Sequence, residues 1–88
     1  MLFVVHWEFA PENRDAANAR FQETGGMPPE GVKMLGRWHF AEGCEGLCVC
    51  DTDDAVLLGK WAQAWSDLLA FRIAPVNDDE GVLKVLGG

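Results

Sequence analysis

The stretch AFRIAPV, Ala70 to Val76, decides how this chain folds. Its aromatic and β-branched residues read as a strand. Pro75 has no backbone N–H, so it removes one donor from any ladder it joins, and a strand that carries it belongs at a sheet edge.

Working back from that strand, TDDAVLLGKWAQAWSDLL (Thr52 to Leu69) has helical spacing. Leu57, Trp61, Trp65 and Leu68 fall at i, i+4, i+8 and i+11, an apolar stripe that packs on a sheet. Thr52 or Asp53 is expected to cap its start, with Asp53 and Asp54 placing negative charge at the positive end of the helix dipole. Before it lie two strands, Gly31 to Phe40 and Leu47 to Asp51, joined by the turn AEGCEG. The chain opens with LFVVHWEF, Leu2 to Phe9, a buried strand. A helix from Pro11 to about Thr24 follows, with Arg14, Ala17, Phe21 and Thr24 on one face. Gly25-Gly26 stops it and MPPEG is a stiff loop. The tail DDEGVLKVLGG has two readings, a short helical turn or a segment lying along a partner.

The order strand, helix, strand, strand, helix, strand predicts an α+β, ferredoxin-like βαββαβ fold over residues 1–88, with a four-stranded antiparallel sheet. Right-handed crossovers put the first and third strands in the centre and the second and fourth at the edges, which agrees with the edge position Pro75 demands. Both helices cover one face. The other face carries apolar side chains whichever parity is chosen, and 49% of all residues are hydrophobic, with four Trp and five Phe. A domain this small has little private core in which to hide them. A homodimer through the open sheet face is therefore expected.

Composition excludes several function classes. Net charge is −7 and the seven Lys and Arg residues are scattered, so nucleic-acid binding is not expected. No apolar run approaches the length of a membrane span. His6 and Glu8 interrupt the first apolar run, so no secretory signal is expected. Cys44, Cys48 and Cys50 are odd in number, and Cys48 and Cys50 would sit on one strand at a spacing poorly suited to a disulfide, which points to a reducing cytoplasm. Nothing in the sequence calls for a cofactor.

Four blocks carry a resemblance: MLFVVHWEF, TGGMPPEGVKMLGRWH, DTDDAVLLGKWAQAWSDLL and FRIAPV. Together they resemble a small bacterial family of the domain-of-unknown-function type, within the dimeric α+β barrel group of ferredoxin-like proteins. The resemblance covers nearly the whole chain. It implies the fold and a homodimer whose two sheets form a barrel, and it implies no activity. The wider group holds monooxygenases, isomerases, haem enzymes and plain ligand binders, so fold analogy does not choose among them. CEGLCVC lies outside the pattern.

Strand parity sorts the candidate chemistry. His6 and Glu8 share one face of the first strand. On the second strand Arg37 and His39 lie with Lys33 and Leu35, opposite Met34, Gly36, Trp38 and Phe40. One constellation joins His6 and Glu8 to Arg37 and His39, with His6 or His39 as general base and Arg37 holding an anionic or enolate oxygen. Against it, polar residues on an edge strand are the ordinary defence against edge pairing. A second constellation gathers His6, Cys48, Cys50 and His39 for a metal, provided the hairpin loop has an even length. C-x-C is not the usual zinc spacing and buried Cys is commonly a small hydrophobe, so no metal is assigned. Trp38 beside Gly36 suggests a concavity for a flat ligand, and Trp38, Trp65, His6 and Arg37 would make a pocket. As a rule Trp61 and Trp65 at this spacing serve the core. The functional expectation is a small-molecule binder, with a cofactor-independent, monooxygenase- or isomerase-like enzyme acting on a small anionic or aromatic metabolite as the alternative.

Overall fold

A computed structural model describes residues 1–88. Strand β1 is Leu2–Glu8, and its residues alternate between buried Phe3, Val5 and Trp7 and half-buried Leu2, Val4 and His6. A 3-10 turn, Pro11–Asn13, leads into helix α1, Arg14–Thr24. The α-helix thus starts three residues after Pro11, which occupies the first turn of the 3-10 segment. It ends at Gly25, whose φ of 75° is the left-handed conformation glycine takes without strain, and whose N–H donates to the Phe21 carbonyl at 2.7 Å.

Strands β2, Lys33–His39, and β3, Glu45–Asp51, form a hairpin. The Phe40 N–H donates to the Glu45 carbonyl, so the connecting loop is the four residues Ala41 to Cys44. Helix α2 spans Ala55–Trp65. Its cap is Asp54, whose carboxylate accepts from the Val56 N–H at 2.9 Å. Neither Thr52 nor Asp53 fills that role. The Thr52 hydroxyl is buried, donating to the Gly31 carbonyl and accepting from the Asp54 N–H, and so ties the β2 approach to the start of α2. Strand β4 is Ala70–Val76. The tail is a third helix, α3, Asp79–Gly87, capped by Asp78.

The sheet is antiparallel throughout, in the order β2-β3-β1-β4. β4 is an edge, as Pro75 requires, and β1 and β3 are central. The core lies on the helix side, where Phe3, Val5, Trp7, Cys48, Cys50, Val32 and Leu58 form one cluster. Leu58 is the deepest side chain of α2, with Leu57 and Trp61 packed beside it. Trp7 lies flat over Gly46, where a Cβ would collide with its indole. Helix α3 stands apart from this core: Val82, Leu83, Val85 and Leu86 are all exposed.

One irregularity redirects β2. A register shift between Met34 and Gly36 leaves Leu35 as the extra residue of a β-bulge. Strict alternation sets Met34 opposite Arg37, but the bulge places both on the helix side, Met34 paired with Cys50 and Arg37 with Cys48.

Candidate functional site

Two aromatic residues of α2, two of the sheet and one of α1 enclose a cavity of about 310 Å³ between the sheet and the helices. Trp7 and Phe71 rise from paired positions on β1 and β4. Phe21 descends from α1, and Trp61 and Trp65 from α2. The helical stripe read from the sequence as core therefore does both jobs: Trp61 packs on the core, and Trp61 and Trp65 both wall the cavity. Only Asn18, Arg37 and His39 bring polar side chains to its lining.

Arg37 is held in place by backbone. Its Nη1 donates to the Gly26 carbonyl at 2.7 Å and its Nη2 to the Gly25 carbonyl at 3.0 Å. The guanidinium carbon sits 4.9 Å from the centre of the Phe21 ring, a cation–π arrangement. These contacts fasten the C-terminal end of α1, where carbonyls lack helical partners and the dipole is negative. His39 stands edge-on to Trp7 at 5.6 Å and to Phe21 at 5.3 Å between ring centres.

The helices over the cavity are joined by a residue that sequence reasoning passed over. Arg20 of α1 makes a bidentate pair with Asp67, at 2.8 and 2.7 Å, donates to the Ala64 carbonyl, and lies over the Trp65 ring. Each charge stabilises the other, so the Asp67 carboxyl is held below its usual range and the Arg20 guanidinium above its own. Helical phase would place Arg20 beside Ala17 and Phe21, but nothing in the sequence ties it to Asp67.

The sheet divides the predicted site residues. Arg37, His39 and Trp65 meet at the cavity. His6, Glu8 and Trp38 do not: they lie on the opposite, open face, because His6 pairs with Leu47 and Trp38 with the same residue from the other side. The His6–Glu8–Arg37–His39 constellation is thus not assembled, nor is the pocket of Trp38, Trp65, His6 and Arg37. The partner of His6 is Glu45, 2.8 Å away on β3, and Glu8 is exposed at the strand end. The concavity expected at Gly36 is filled by Trp38 itself, whose indole folds over the glycine.

The four-residue loop does bring Cys48 and Cys50 to the face that carries Arg37 and His39, yet His6 remains across the sheet. No three His, Cys, Asp or Glu side chains converge in a metal-holding group. The two thiols lie 3.7 Å apart, fully buried. Burial pushes the Cys48 thiol up to about 12 and raises Cys50 as well, so both are neutral small hydrophobes at physiological pH.

This sheet order, with α1 and α2 on one face, defines the ferredoxin-like α+β class. Over its whole length, residues 1–88, the chain matches a family described as a domain of unknown function, DUF3303, and it belongs to that family. Its structure is similar to that of Rv0793 from Mycobacterium tuberculosis, with a TM-score of 0.52 and 16% sequence identity, covering 89% of this chain and 97% of that one. At that identity the likeness concerns the fold alone. A comparison with curated proteins finds no match. No helix is long and apolar enough to cross a membrane.

Proposed function

We propose that the protein binds a small molecule in the cavity between the sheet and helices α1 and α2. The observation that carries this reading is the lining: five aromatic rings around about 310 Å³, with Asn18, Arg37 and His39 as its polar side chains. Ligand sites have this build, mostly apolar walls with a few fixed polar groups, and volumes from about 300 Å³ upward. The test uses the neutral fluorescent probe N-phenyl-1-naphthylamine. Asn18 lines the cavity and is exposed, so Asn18→Trp adds a bulky ring at the lining from a position outside the core and is expected to obstruct the cavity. Binding to the wild type that weakens about tenfold or more in Asn18→Trp supports the cavity. Equal binding in both proteins sinks it.

A second reading, chemistry on the bound molecule without a cofactor, is favoured by one observation. His39 meets the cavity with no side-chain hydrogen bond of its own, and imidazole is the only general base that the lining offers. In that reading His39→Gln abolishes turnover while leaving probe binding intact.

The assembly we propose is a homodimer through the open sheet face. Trp38 and Phe40 are 59% and 42% exposed there, beside half-buried Val4, Leu47 and Val49, an apolar surface of the kind a monomer rarely leaves in water. The three free cysteines support a cytoplasmic location.

A further inference from the structure

The charges around the cavity are unlike those of the rest of the chain. The protein carries 14 acidic residues and a net charge of −7, yet none of the acidic residues lines the cavity. No ion pair in the structure includes a lining residue, so Arg37 belongs to none of them; the nearest, Arg20–Asp67, is internally neutralised above the cavity. Directly beside Arg37 on β3 is Cys48, whose thiol is neutral. A half-buried guanidinium therefore faces aromatic walls with no counter-charge.

Backbone carbonyls orient this cation without neutralising it. A guanidinium has five N–H donors in a fixed plane, and the carbonyls of Gly25 and Gly26 take two of them. Three remain. Stacking on Phe21 holds the plane still, so these donors are presented in a set direction and little side-chain freedom is lost when they are used. A cation in apolar surroundings gains most from an anion that arrives with its own hydrogen-bond acceptors.

We propose that this cavity selects organic anions with a flat aromatic body, and that Arg37 is the residue that reads the negative charge. The inference rests on the cavity being the binding site and adds the ligand class: one or two fused rings held among Trp7, Phe21, Trp61 and Trp65, with a carboxylate or similar group turned toward Arg37.

The test compares two isosteric probes, 2-naphthoate and 2-naphthamide, by titration calorimetry. The wild type should bind the acid about tenfold or more tightly than the amide, the range of a charge-assisted hydrogen bond. Arg37→Met should erase that preference and keep amide binding. Arg72→Met, which removes a cation on the open face, should leave the preference as it is. Equal affinities in the wild type overturn the proposal while the cavity reading stands, and so does a preference that survives in Arg37→Met. If neither naphthyl probe binds while N-phenyl-1-naphthylamine does, the ligand class falls and the cavity reading stands; if none of the three binds, both fall. Should Arg37→Met fail to fold, the wild-type comparison still decides the charge preference. Asn18→Trp then locates it: acid binding that is lost supports the cavity, and acid binding that persists overturns the assignment.

Discussion

His6 Nε2 lies 2.8 Å from Glu45 Oε2, bridging the central strands β1 and β3 on the open face of the sheet. Both side chains are 29% exposed, so the pair is neither buried nor freely solvated. Contact across adjacent strands makes their contributions interdependent. A double-mutant cycle with His6→Ala and Glu45→Ala should return a coupling of about 0.5–1 kcal/mol in denaturant unfolding. Additive effects would mean that the pair contributes nothing to stability.

Two glycines each lie beneath a tryptophan, on opposite faces of the sheet, and their substitutions should differ in cost. A Cβ at Gly46 would collide with the buried Trp7 indole and come within 2.8 Å of the Trp38 carbonyl oxygen. The three atoms nearest a Cβ at Gly36 all belong to the ring of Trp38, which is 59% exposed and so has room to swing into water. Gly46→Ala should therefore cost about 1–3 kcal/mol or more, the range for overpacked cores, and Gly36→Ala less. Urea unfolding of the two variants checks the order. Equal costs would contradict the difference in confinement.

How much of this was legible in the sequence follows from what each residue must do alone. Pro75 fixes an edge because a missing N–H has one consequence wherever it occurs, and Gly25 ends α1 for an equally local reason. The choice of face was not legible. Phe3, Val5 and Trp7 alternate with Leu2, Val4 and His6, and either set would serve as a core. Only the register decides, by setting Trp7 over Gly46. The bulge at Leu35 was hidden too, since Met34 and Leu35 are both apolar and neither marks an unpaired position. Arg37 and His39 were found by residue type. Their separation from His6 and Glu8 is a tertiary fact.

The thiols give a prediction for alkaline pH. Burial raises Cys48 to about 12, whereas an unfolded thiol titrates near ~8.5. The folded state therefore holds its proton where the unfolded state has lost one. This contribution is fully present below about pH 8.5 and is lost as pH rises toward 12. In native protein at pH 8 a thiol-reactive disulfide should label Cys44, which is half-buried, and leave Cys48 and Cys50 unmodified until the chain unfolds. Cys48→Ala should flatten the fall of melting temperature between pH 8.5 and 11. Rapid native labelling of all three thiols would contradict the burial.

At acid pH the sign reverses for the latch between the helices. Arg20 holds the Asp67 carboxyl below its ordinary range, which for an unfolded aspartate is ~3.9. Its contribution is present above that value and is lost as pH falls through the lower, folded one. Asp67→Asn should lower the melting temperature by a constant amount between pH 5 and 8, and the gap should narrow progressively as pH falls below ~3.9. A gap that persists at the lowest pH would assign the effect to packing rather than to the ion pair.

The open face and α3 make one prediction about assembly. Helix α3 has nine residues, fewer than an isolated helix needs to persist in water, and it leaves Leu83 and Leu86 69% and 77% exposed. Trp38 on β2 and Phe40 just beyond its end are apolar and exposed on the open face as well. In the proposed homodimer a second copy laid face to face would cover the strand residues. Sedimentation at micromolar concentration should show a species of about twice the 9.7 kDa chain mass. Trp38→Glu, which places a charge among the exposed apolar residues of that face, should shift it to monomer without unfolding it. Ending the chain after Asn77 tests α3 separately. A dimer weakened by that truncation would place the helix in the interface, and an unchanged one would leave the sheet face to carry the association alone. If the wild type sediments only at the mass of one chain, the sheet-to-sheet assembly is wrong.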